Sequence, residues 1–328
     1  MDKALPETTD FEDLEARAQR LSAVMPNLVL NARQIAHTLV HGNHGRRRAG
    51  PGETFWQFRP YTNLEPAQRI DWRRSASSDH LYVREKEWDT AHTFWIWIDL
   101  GPSMWFQSRL SRISKAERAT LLGLAVAELL VRSGERVGVL GLMRPSMDRD
   151  LVPQIAERLL FGLKGDYGSQ GMPMGQDIKR FSEVILISDF LEPKTSLFQK
   201  LQNIGGNQVG GTLVQVIDPA EESFPFEGRI EFKDMQQSEK VVVENAGELR
   251  PRYAAAFQER KNQLQSVCQT LNWGHLQHHT DRPAREGLLH LYGFLSSHYY
   301  ATGAMSHEAK AQNEAELNAQ SLTGGDTI

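Results

Sequence analysis

Residues 93–98, Thr-Phe-Trp-Ile-Trp-Ile, are aromatic or β-branched without interruption, and Asp99 follows at once. A run with no polar face fits a strand buried on both sides, the central position in a parallel sheet. In open α/β sheets, ligands gather outside the carboxyl ends of the strands, where a strand feeds a helix through a short loop. The loop here is Asp99-Leu100-Gly101-Pro102-Ser103. Its carboxylate and hydroxyl can approach one hard cation from one side.

The rest of the chain alternates around that strand. Ser114 and Glu117 have S-x-x-E capping-box spacing, and the helix they open is apolar nearly all round to Gly134, hence buried. Val137–Met143 reads as a strand and Pro153–Leu163 as a helix. A glycine-rich loop, a short helix and a third buried strand, Val184–Ile187, lead to Ser188-Asp189. A helix capped at Thr195 follows, with Leu197, Phe198, Leu201 and Ile204 on one side, then a strand at Thr212–Ile217 ending at Asp218. Strand–helix alternation of this kind predicts a doubly wound, mostly parallel α/β sheet of three layers. Ile230–Phe232 with Val241–Val243 reads as an edge hairpin, and Tyr253–Leu271 and Pro283–Leu295 as helices.

Upstream, a helix is expected from Phe11 to Val24, ended by Pro26, and another from Leu28 to His41. Residues 42–92 are polar and irregular, with aromatics among arginines and one alternating stretch, Leu81–Lys86, that predicts a strand. The expected divisions are a tail and helix (1–27), an aromatic–arginine segment (28–92), the α/β domain with C-terminal helices (93–300) and a disordered tail (301–328).

Bulk properties exclude some classes. The net charge of -4 gives no field that recruits nucleic acid. No apolar stretch has the ~20 residues of a membrane span, and the single cysteine, Cys268, fits a reducing compartment and reads as buried and inert. A cytoplasmic protein is expected. His37, His41 and His44 have no acidic or thiol companion, and His275, His278 and His279 follow a helix end without converging partners.

If the strands before Asp99 and Asp189 are adjacent and parallel, both carboxylates rise on one rim, roughly 5 Å apart at the backbone. With Ser103, and with Ser169 or else Asp166 from the glycine-rich loop, they make a set of hard oxygen donors suited to Mg²⁺ or Mn²⁺. The bland alternative is that the acids only cap the turns that follow them.

DLGPS at 99–103 resembles the D-x-S-x-S opening of the metal-ion-dependent adhesion site of von Willebrand factor A domains, and LISDF at 186–190 resembles that fold's later strand. FRPYTNLEPAQRIDWRRSASSDHLYVRE, and VIDPAEESFPFEGRIEF at 216–232, are similar to the core signature of the bacterial family called domain of unknown function fifty-eight. The resemblance implies a von Willebrand factor A-like sheet behind a helical and irregular or β-rich extension. It also implies a MoxR-type AAA+ ATPase, or the client it remodels, as partner. Arg59, Arg69, Asp71 and Trp72 are the signature positions carried over, and with Gly101 they are the expected docking residues. Two ligands of the full adhesion site are missing: Gly101 stands for its first serine, and no threonine lies between Thr120 and Asp189.

No G-x-S-x-G elbow and no G-x-x-x-x-G-K-[ST] loop occurs. Asp99 as a phosphohydrolase nucleophile would want an acid two residues on, where Gly101 stands. The expectation is therefore a non-catalytic interaction module acting as adaptor or co-chaperone, with a metal-dependent phosphohydrolase or an inert scaffold as the alternatives.

Overall fold

The computed structural model describes residues 14–42, 55–61, 68, 70–76, 78, 80–86, 91–165, 167, 171–173, 175, 178–192, 194–206, 208–233 and 240–295. α1 (Leu14–Gly42) precedes β1 (Phe55–Pro60), the short α2 (Trp72–Ser75) and β2 (Tyr82–Lys86). β3 (Thr93–Ile98) and α3 (Lys115–Arg132) lead to β4 (Arg136–Val139), β5 (Met143–Ser146) and α4 (Leu151–Lys164). β6 (Glu183–Ser188), α5 (Lys194–Gly205), β7 (Gly210–Ile217) and α6 (Pro219–Ser223) follow. β8 (Ile230–Lys233), β9 (Lys240–Val243), α7 (Ala246–Leu271), β10 (Gly274–His279) and a helix over residues 284–295, α8, end the described chain.

Six strands form one sheet in the order β10-β7-β6-β3-β4-β5, parallel throughout except for β5. The mixed α/β architecture is thus a mostly parallel sheet. Alternate residues of β3 build the two cores. Phe94, Ile96 and Ile98 belong to the core that also holds residues of α1, α3, α4 and α8, whereas Trp95 and Trp97 belong to the one that holds residues of α5 and α7. A strand with both faces covered has no place for a polar side chain, which is why Thr93–Ile98 reads as it does.

α3 is buried on its outer side as well, because α1 lies over it. Ala18, Leu21, Met25, Leu28, Ala32 and Ala36 are all buried, three or four residues apart, and form one continuous stripe against α3 and α4. That stripe overrides the break expected at Pro26: α1 runs through as one helix. A proline inside a helix costs about 3 kcal/mol. Pro26 and Ser22, whose carbonyl it leaves unbonded, are both exposed, so water can serve that carbonyl.

Other departures lie at the periphery. Val137–Met143 is not one strand: it turns at Gly141 (φ 77°), and the chain returns antiparallel as β5, the sheet's edge. His275, His278 and His279 follow the end of α7, as expected, and lie in the opposite edge strand, β10. β8 and β9 form a hairpin of their own, not an edge of the main sheet. β1 pairs antiparallel with β2 inside the segment expected to be mostly irregular. No helix precedes β6 among the described residues there, and Thr195 lies within α5 and not before it.

β7 passes close beneath one rigid ring. A Cβ on Gly211 would stand 2.4 Å from Cδ2 of Trp273, whose buried indole donates to the Val209 carbonyl at 2.9 Å. Gly211→Ala is therefore expected to cost about 1–3 kcal/mol through overpacking. Thermal melts of the two proteins check this, and an unchanged midpoint would mean the ring can move aside.

Candidate functional site

The chain changes direction between β3 and β6. From β3 it runs outward through β4 and β5, then returns by α4 to β6 on the other flank of β3 and continues outward to β7 and β10. Such a reversal opens a crevice at the carboxyl ends of the two central strands. Asp99 and Asp189 are the residues that follow those strands, on the same rim. Ile98 pairs with Ile187, and the Asp99 amide donates to the Ile187 carbonyl at 2.9 Å. Asp218 ends β7 on this rim as well, so three neighbouring strands each finish in an acid.

Each acid is held by its surroundings. Asp99 accepts the Gly101 amide on Oδ1 at 2.8 Å and the Ser188 hydroxyl on Oδ2 at 2.6 Å. Burial, and then the neighbouring Asp189 charge, push the Asp99 carboxyl up to about 7. Asp189 accepts the Leu191 amide on Oδ1 at 3.1 Å, and its Oδ2 lies 2.9 Å from Nζ of Lys115. That ammonium, on the first residue of α3 and fully buried, also pairs with Glu221 of α6 and stands 5.9 Å from the centre of the Phe106 ring. Burial works against the Lys115 charge, but Asp189 and Glu221 outweigh it and hold the ammonium above its ordinary value. Glu221 is raised by its own burial, with Lys115 opposing. Asp218 caps α6 and accepts the Ser108 amide on Oδ2 at 2.9 Å, which ties the β3 loop to the β7 loop.

The loop after β6 is clamped from outside. Phe190 takes a left-handed conformation (φ 55°), a strained one for a non-glycine residue. Its carbonyl accepts from the Arg260 guanidinium of α7, which also donates to the Glu192 carbonyl at 2.6 Å.

Among the expected site residues, Asp99, Asp189, Gly101 and Ser103 share the rim, Ser103 half-buried in the 3₁₀ turn Pro102–Trp105. Ser169, Asp166 and Arg69 lie outside the described residues. Arg59 is on β1, and Asp71 caps α2 by accepting the Arg74 amide at 3.0 Å. Trp72, the next residue, is 62% exposed. Arg74 lies over both the Phe58 and the Tyr82 ring, 5.7 Å from each centre.

Among the described residues the donor set does not fit a divalent ion. Both Asp99 oxygens are engaged by the protein, and Asp189 already faces an ammonium. No group of three or more His, Cys, Asp or Glu among the described residues is arranged to hold a metal. Sequence reasoning missed Lys115, Glu221 and Ser188. One signal was available: a lysine in the first turn of a helix opposes the macrodipole, which points to a carboxylate partner elsewhere in the chain.

Fold and rim together define a doubly wound α/β domain with a carboxylate cluster around one buried ammonium at its switch point. The chain belongs to the family described as protein of unknown function DUF58, which matches residues 57–263. The uncharacterized protein Rv1480 of Mycobacterium tuberculosis is 24% identical over 230 residues, 66% of this chain and 71% of that protein. The chain is also similar to two solved structures at 14% identity. The conserved hypothetical protein BatB from Bacteroides thetaiotaomicron has a TM-score of 0.36, covering 63% of this chain and 100% of that one. An aerotolerance-related membrane protein from Bacteroides fragilis has a TM-score of 0.35, covering 61% and 98%. The expectation of a cytoplasmic protein is corrected by this comparison, since the second of these is described as a membrane protein. No helix among the described residues is long and apolar enough to cross a membrane.

Proposed function

We propose that this chain is a non-catalytic interaction module with a von Willebrand factor A-like domain, whose switch-point rim docks a MoxR-type AAA+ ATPase or the client such an ATPase remodels. The observation that carries this reading is the convergence of the β3 and β6 loops at the reversal of the strand order. The order, with three strands on each side of that reversal and one antiparallel edge strand, also suits a von Willebrand factor A-like sheet. The two loops present apolar side chains beside the polar cluster: Leu110 is 53% and Leu191 52% exposed. Exposed leucines on loops held by buried ion pairs and by the Arg260 clamp suit a pre-organised docking face.

The experiment is a binding titration of the full chain against a MoxR-type ATPase from the same organism. Leu110→Asp with Leu191→Asp is expected to weaken binding at least about tenfold, the scale of one lost apolar anchor. Trp72→Ala separately tests the signature segment. Unchanged affinity in the double variant would remove the rim from the interface.

A further inference from the structure

We infer that Lys115 is a resident cation occupying the place a divalent ion would take at this rim, so that the three strand-end loops are held together without metal. The ammonium is fully enclosed, and carboxylate oxygens of Asp189 and Glu221 converge on its single nitrogen, one from the β6 loop and one from the β7 loop. The lysine itself follows the β3 loop, at the start of α3. One nitrogen therefore links all three loops, as a metal ion shared between them would.

Three features favour this role over an incidental staple. A cation in the first turn of α3 opposes the helix dipole, so the position is disfavoured unless its charge is used. Full burial of an ammonium is rarely repaid in stability by its ion pairs when an apolar side chain of the same size would fill the space. Lastly, both Asp99 oxygens are already engaged by the protein, and the cation beside them is supplied by the chain itself. Divalent ions bind through one or two carboxylates with waters completing the shell; those two carboxylates are the pair that Lys115 holds.

This inference concerns the rim but does not need the docking reading, because ion binding and partner capture are separate measurements. The test compares the full-length protein with Lys115→Gln, which keeps a polar side chain, one atom shorter, and removes the charge. Mn²⁺ and Mg²⁺ are titrated into each, with free Mn²⁺ followed by its paramagnetic resonance signal and unfolding followed by thermal melts. The wild type is expected to bind neither ion at millimolar concentration and to melt identically in chelator. Lys115→Gln is expected to take up Mn²⁺ and to gain about 3 °C or more in melting temperature from it. Mn²⁺ uptake by the wild type that Asp189→Asn abolishes would overturn the inference. So would a folded Lys115→Gln protein that takes up no ion. If that variant unfolds in chelator, refolding in Mn²⁺ is the readout: recovery supports the inference and equal failure with and without the ion sinks it.

Discussion

Lys115→Met is expected to lower the stability of the folded protein by about 3–5 kcal/mol at pH 8, the cost of breaking a buried ion pair from one side. The methionine fills much of the space, so the loss is electrostatic: Asp189 and Glu221 remain in a site with no cation. In a protein of this size each kcal/mol moves the melting temperature by roughly 2–4 °C, so a drop on the order of 10 °C should be seen. Combining Lys115→Met with Asp189→Asn should cost clearly less than the sum of the single changes, because the second substitution removes a charge that the first has stranded. Denaturant titrations of the four proteins give that coupling directly. Simple additivity would mean that the lysine and the aspartate do not depend on each other in solution.

The same cluster explains why the rim loops can stay ordered although one of them carries a strained residue. Phe190 in a left-handed conformation costs on the order of 1–3 kcal/mol. It is over-determined from two sides. Asp189 beside it is fixed by Lys115 and by the Leu191 amide, and the Phe190 carbonyl is held by Arg260. Ser188 completes the link, because its hydroxyl donates to Asp99 and accepts the Phe190 amide at 3.0 Å. The β3 and β6 loops are thus coupled through Ser188, and the β6 and β7 loops through Lys115. A partner pressing on one loop meets the resistance of all three.

The centre of this molecule was legible in its sequence, and its edges were not. Thr93–Ile98 and Glu183–Ser188 are central strands that every neighbour makes apolar, and the Ser114–Glu117 capping box depends on local geometry alone. Edge strands lack that pressure. β5 contains a proline, and β10 is mostly polar, with two histidines only half-buried. What makes each a strand is the partner beside it, which no local pattern records. The continuity of α1 that outweighs Pro26 comes from α3 beneath it. At the rim, the acids were visible because they end apolar runs. The cation that pairs with Asp189 was not, because Lys115 lies 74 residues from Asp189 and 106 from Glu221 in sequence.

Asp99→Asn should be more stable than the wild type above pH 7 and lose that advantage in acid. The folded-state value of Asp99 is raised, from 3.8 to about 7, by burial and by the Asp189 charge. A carboxyl raised on folding binds its proton more tightly in the folded state, so its stabilising contribution is complete below about pH 4 and is lost as pH rises through about 7. Three units correspond to about 4 kcal/mol, as an order of magnitude. The raw pH profile of the wild type will not display this. Half-buried His275 and buried His278, lowered by desolvation to about 4 and about 3, favour folding more as pH rises towards 6.5, which opposes the Asp99 slope across the same window. Glu183, raised to about 7 by burial, slopes the same way as Asp99. Subtracting the variant's profile from the wild type's cancels the histidines and Glu183, and the remainder belongs to Asp99. Asparagine keeps an acceptor for the Gly101 amide but presents N–H to Ser188, so the variant should match or fall below the wild type at pH 4 and exceed it at pH 8. A difference profile that is flat between those limits would mean that Asp99 is ionised in the folded protein throughout, with a counter-charge the rim gains in solution.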